Sequence, residues 1–137
     1  MGNEWILQNE SRVFSIVQAK TKDDIVAQFP KARFTTKEEN INSNTKFPTI
    51  YIAEMSGGSE VGSDLEGQSI NGVVSTFQAK VLTDTSKNDA TKVMGYILNA
   101  FKDLRFNLVG VPVTTTNDNV YVCIARFRRV IGASDKL

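Results

Sequence analysis

Residues 73–83, Val-Val-Ser-Thr-Phe-Gln-Ala-Lys-Val-Leu-Thr, alternate apolar and polar side chains with a period of two. Val73, Phe77, Ala79 and Val81 mark a buried side, and Thr76, Gln78 and Lys80 a solvated one; the pattern predicts a half-buried strand. Beyond Thr83 the period changes. Ala90, Val93, Met94, Ile97, Phe101 and Leu104 recur at spacings of three and four, which predicts a helix with one apolar stripe. Ser86 suits its N-cap, and Asp89 three residues on gives an approximate capping box. Lys102 and Arg105 place positive charge at its C-terminal end, where the helix dipole favours it.

Working outward, residues 9–28 read as a first helix, with Val13, Phe14, Ile16 and Val17 clustered on one side. Ile25 and Phe29 extend that stripe, and Thr21 to Asp24 mark a place where it can divide in two. Pro30 ends it, because proline disfavours helix in the residue before it. Residues 33–36 suggest a short strand, and residues 37–46, apolar only at Ile41, a surface loop. In residues 47–55 Ile50 and Ile52 face one way and Tyr51, Ala53 and Met55 the other. Residues 106–115 and 120–131 form two further strands, and Asn117, Asp118 and Asn119 between them suit the turn of a hairpin. The order helix, strands, helix, hairpin predicts one α+β domain over residues 1–137. Its expected core is an antiparallel sheet of four to five strands with two helices packed on one face.

Between the second and third predicted strands lies Ser-Gly-Gly-Ser-Glu-Val-Gly-Ser-Asp-Leu-Glu-Gly-Gln, residues 56–68. It holds four glycines, three serines and the carboxylates Glu60, Asp64 and Glu66, with no lysine or arginine. The composition favours a flexible or extended loop over residues 56–69. Its carboxylate spacing matches no calcium-binding loop, so no metal is expected there.

Composition narrows the chemistry. The chain has 137 residues, a net charge of +1, one cysteine and no histidine. Without histidine, the usual acid–base catalyst near neutral pH is missing, as are Ser–His and Cys–His pairs. Adjacent carboxylates at Glu38-Glu39 and Asp23-Asp24 diverge on either kind of element, whereas catalytic carboxylates must converge. Gly57-Gly58 lacks the lysine of a phosphate loop. Cys123 cannot form an intrachain disulfide and reads as a buried thiol. No catalytic residue, cofactor or metal is expected, and the chain is not expected to be an enzyme. The N-terminus lacks the pattern of a signal peptide, and no stretch is long enough for a membrane helix, so the reading is cytoplasmic at synthesis, with no membrane partner.

The last strand carries the clue to function. Tyr121, Cys123, Ala125 and Phe127 form its helix-facing side. The opposite side then carries Val120, Val122 and Ile124, followed by Arg126 and Arg128. Val109, Val111 and Val113 add further apolar groups. Two helices cannot shelter both faces of such a sheet, and an exposed apolar patch marks a protein interface unless a terminus or loop folds back over it. Arg126 and Arg128 share a face and Arg129 points away, so the three do not form one flat DNA-reading surface.

Residues 46–55, 65–84, 86–107 and 120–135 together resemble the tail terminator or tail completion proteins of long-tailed phages and prophages of Gram-positive bacteria. The resemblance spans roughly residues 13–135 and rests on element order and strand edges, not on an invariant motif. It implies a structural virion protein forming a hexameric ring that caps the head-proximal end of the tail tube and joins the head–tail connector. Its implied partners are further copies of itself (a homohexamer), the tail-tube protein, connector proteins, and genomic DNA passing through the lumen without specific binding. Its implied location is the virion tail, after assembly in the host cytoplasm. Val120, Val122, Ile124, Arg126 and Arg128 become expected subunit-interface residues. Glu60, Asp64 and Glu66 become expected tube-contacting or lumen-lining residues, because a weakly acidic lumen does not grip phosphates. The alternatives are a head–tail connector or stopper protein and, in a different class, a small nucleic-acid-binding module.

Overall fold

A computed structural model describes residues 3–38, 41, 45–63 and 69–137, with Ser63 described for its backbone only. After a short 3-10 turn at Glu4–Gln8 come α1 (Asn9–Gln28), β1 (Arg33–Thr35), β2 (Thr49–Glu54), β3 (Ser59–Ser63) and β4 (Ile70–Thr83). Then follow α2 (Lys87–Asp103), β5 (Asn107–Leu108), β6 (Val113–Asn117) and β7 (Val120–Gly132). The class is α+β, with both helices on one side of a mixed, mostly antiparallel sheet.

β4 and β7 are the long central pair, in antiparallel register from Gly72 opposite Gly132 to Thr83 opposite Tyr121. Each is flanked on its outer side by two shorter strands placed end to end. β2 and β3 share the outer edge of β4, and β6 and β5 share that of β7. β1 then adds to β2 in parallel, which the expectation of a purely antiparallel sheet did not include. The sheet is therefore five positions wide but seven strands in number.

α1 runs unbroken through Thr21. That residue sits inside the buried line Val13, Val17, Thr21 and Ile25, and its hydroxyl donates to the Val17 carbonyl at 2.8 Å. The bond satisfies the Thr21 hydroxyl inside the stripe, so the helix does not divide at this point. α2 begins as expected, with the Ser86 hydroxyl accepting from the Asp89 amide at 3.1 Å. Every residue of its predicted stripe is buried, and Ala100 with them. Phe101 stacks on Phe127 of β7 at 4.2 Å between ring centroids and meets Phe106 edge-on at 5.2 Å. Phe77 of β4 closes the group against Phe106. These four rings form the centre of the core.

The exit from α2 stores some strain. Arg105 takes φ = 65°, and the Phe106 amide reaches back to the Phe101 carbonyl at 3.0 Å. A left-handed residue at this point suits glycine, and a side chain there costs about 1 kcal/mol. Arg105 also meets Asp135 at 3.5 Å, but its side chain is mostly in water, so this pair contributes little. Arg105→Gly is therefore expected to raise the urea midpoint slightly; a clear fall would show that the ion pair outweighs the backbone strain.

The expected strand over residues 106–115 is interrupted. Leu108 lies opposite Phe127 and Val113 opposite Ile124, so four residues on one side span two on the other. Gly110 at φ = 76° and Pro112 sit in that excess, and proline cannot serve a continuous ladder. Asp118 and Asn119, both at positive φ, make the tight turn into β7.

The expected loop over residues 56–69 is corrected in part. Ser59–Ser63 form β3, paired with Ile70 to Val74 of β4. At Gly58 a Cβ would collide with the Val74 carbonyl oxygen, so glycine here serves close backbone approach.

Candidate interaction surface

Strand register assigns each side chain to a face. On the helix side lie Ile50 and Ile52, Phe77, Ala79 and Val81, and Cys123, Ala125 and Phe127, all buried. The other face is read in rows across β2, β4, β7 and β6. Thr49, Leu82, Val122 and Thr115 form one row, and Tyr51, Lys80, Ile124 and Val113 the next. Below them come Ala53, Gln78 and Arg126, then Thr76, Arg128 and Asn107. At the far end Val74 lies between Ser59 and Val130, with Val61 beside Gly72. The open face thus has an apolar zone at each end and an arginine band between them.

Its apolar residues are unequally sheltered. Val113 is 61% exposed, Val130 51% and Val61 41%, and Val111 in the bulge beside β6 reaches 85%. Val122, Ile124, Val74 and Leu82 are half-buried. Part of the shelter comes from the chain itself. Glu38 forms an ion pair with Lys80, the Thr49 hydroxyl donates to the Lys46 carbonyl at 2.6 Å, and Ile41 with Thr45 helps to line a small hollow over Tyr51 and Leu82. The segment after β1 therefore covers one corner of the face. The opposite end and the β6 edge have no such cover among the described residues.

Of the expected interface residues, Val122, Ile124, Arg126 and Arg128 lie together on this face. Val120 does not belong to an open surface, which corrects that expectation. It is only 7% exposed, because it follows a two-residue turn that sets Asn117 directly across from it. Arg126 and Arg128 are exposed, and the Arg126 Nε donates to the Gln78 Oε1 at 3.2 Å. Arg129 points to the helix side, as expected, where its buried guanidinium pairs with Asp135. Glu60 is exposed on β3 opposite Val73. Asp64 and Glu66 lie outside the described residues.

One polar group on the helix side was not singled out in the sequence. The Glu10 carboxylate accepts from the Glu54 amide at 2.9 Å, where the N-terminal turn of α1 meets the end of β2. Burial pushes the Glu54 carboxyl pKa above its ordinary value; the nearby Ser75 hydroxyl opposes this and the Glu10 charge adds to it. A raised folded-state pKa means that the contribution of Glu54 is favourable below its unfolded value and is lost as pH rises through the folded one. Glu54→Gln is therefore expected to stabilise the fold at neutral pH and to leave it nearly unchanged near pH 4. Calorimetry at the two pH values tests this, and equal effects at both would contradict it.

Among the described residues no group of three or more His, Cys, Asp or Glu side chains is placed to hold a metal ion. Among them too, no helix is long and apolar enough to cross a membrane. Cys123 is buried and unpaired. Trp5 is half-buried against the core, a packing position. No protein-family model matches the chain, and no curated protein matches its sequence.

Proposed function

We propose that this chain is a structural virion protein, a tail terminator that rings the head-proximal end of a phage tail tube and offers the joining surface to the head connector. One observation carries the reading: an open sheet face with apolar zones at both ends and an arginine band between them, sheltered among the described residues at one corner only. Exposed apolar zones on one face mark a protein–protein interface, and arginine is enriched in such surfaces. Val122, Ile124, Arg126 and Arg128 are the residues buried against neighbours in the assembled ring. The resemblance of the sequence to terminator proteins supplies the kind of assembly. Glu60 on β3, with Asp64 and Glu66 following in sequence, is the acidic segment assigned to the tube contact or lumen.

A nucleic-acid-binding module fits less well. The exposed arginines form a short band on a strand, flanked by apolar residues, where a phosphate-tracking surface would carry a broad basic stripe.

The test is light scattering and electron microscopy of the purified protein, alone and with its tail-tube protein. Rings, formed alone or on tube ends, are the expected result. Arg126→Glu with Arg128→Glu is expected to abolish them while changing stability by no more than about 0.5 kcal/mol, as for exposed sites. A monomer at high concentration that ignores tube protein would refute the proposal, and tight duplex binding with a steep salt dependence would favour the nucleic-acid reading.

A further inference from the structure

Two edge strands of the sheet, β3 and β6, share an unusual property. β3 has every described side chain exposed, and β6 has all but Thr114 exposed. Each is held by a single neighbour, β3 by β4 and β6 by β7, and among the described residues nothing pairs with the outer edge of either. Strands wet on both faces and paired on one side are marginal by themselves. Free edges in soluble proteins are normally guarded by lysine, proline or inward charge. β6, Val-Thr-Thr-Thr-Asn, has none of these and is built from residues that favour strand structure.

Direction makes the two edges complementary. β3 is antiparallel to β4, β4 to β7, and β7 to β6. β3 and β6 therefore run in opposite senses at opposite edges of one sheet. A second copy in the same orientation, set beside β6, presents its β3 antiparallel to it and continues the alternation. Faces agree as well, since Val61 and Val113 both belong to the open face and both stand exposed.

We infer that copies of this chain join head to tail, the β3 edge of one pairing with the β6 edge of the next. This rests on the ring proposed above and names the contact that builds it. β3 lies at one end of the central strands and β6 at the other, so successive copies step along the strand direction, as strands do in a sheared barrel. Such a contact uses two different patches and closes only when the rotation between copies fits, unlike a two-fold dimer. The seam buries Val61 against the Val113 rim.

Cysteine pairs test the inference directly. Val61→Cys and Thr115→Cys place thiols on the same face of the two edges, within cross-strand reach if the strands pair centre on centre. The native Cys123 is buried, so the unmodified chain is the silent control. On mild oxidation the double variant is expected to give a ladder of covalent oligomers. A mixture of the two single variants should give dimers and stop there. Val113→Lys added to the double variant, which puts charge on the unguarded edge and leaves both thiols in place, should cut the ladder by about tenfold or more. Dimers from Thr115→Cys alone would overturn the inference in favour of two-fold pairing through β6. Rings visible by electron microscopy without any cross-link between positions 61 and 115 would overturn it too, while leaving the terminator reading intact. Absence of any assembly, alone or with tube protein, sinks both.

Discussion

Phe101→Ala is expected to destabilise the protein by about 3–5 kcal/mol, a large part of the 5–15 kcal/mol that holds a typical domain together. The ring is fully buried and stands between the stacked Phe127 and the edge-on Phe106. Removing it loses the transfer energy of its buried surface and leaves a cavity that three other rings cannot collapse into without leaving their own contacts. Helix, hairpin strand and central strand meet at that point, so no single element can shift to fill the gap. Urea unfolding should show a much lower midpoint with an unchanged slope. Phe101→Leu, which keeps most of the volume, should cost distinctly less. A loss under about 1 kcal/mol for alanine would mean that the core relaxes freely, contrary to close packing.

Arg129→Ala is expected to cost about 2–3 kcal/mol, because it strips a charged partner from a largely buried carboxylate. Asp135 is 14% exposed at its side chain and Arg129 11%, and the two form an ion pair. Asp135 also accepts from the Leu137 amide at 3.0 Å, while its carbonyl accepts from the Arg12 guanidinium on α1 at 2.7 Å. This cluster fastens the end of the chain to α1 and β7. Burial pushes the Asp135 pKa up, but the Leu137 amide and the Arg129 guanidinium outweigh it and hold the net value below the ordinary one. With a lowered folded-state pKa, the stabilisation is present above the unfolded value and is lost as pH falls through the folded one. Stability should therefore decline below about pH 4, and Asp135→Asn should flatten that limb. The double variant with both residues changed to alanine should lose less than the sum of the two single losses. Simple additivity would show that the pair is not coupled.

The open face was legible in part and for a definable reason. Val122, Ile124, Arg126 and Arg128 could be placed on one face from strand period alone, since alternate residues share a face whatever the strand pairs with. Val120 breaks that inference, because burial beside a turn depends on what folds across it. β3 was hidden because Ser-Glu-Val-Gly-Ser has little strand propensity; it becomes a strand by pairing with residues 70–74. The break in the β5–β6 strand had a local signal in Gly110 and Pro112, which a stricter reading of proline in strands could have used. Glu54 and Glu10 gave no signal at all, being 44 residues apart.

By itself the sequence determined the class, the two helices with their buried stripes, the Ser86 cap and the two-sided character of β4 and β7. These follow from periodicity and capping, which act between residues a few positions apart. Only the tertiary structure decided the parallel β1, the pairing of β3, the partial cover over the open face and the antiparallel sense of its two free edges. Each of those depends on register between distant segments, and register is set by what packs across the sheet and not by any residue's near neighbours in the chain.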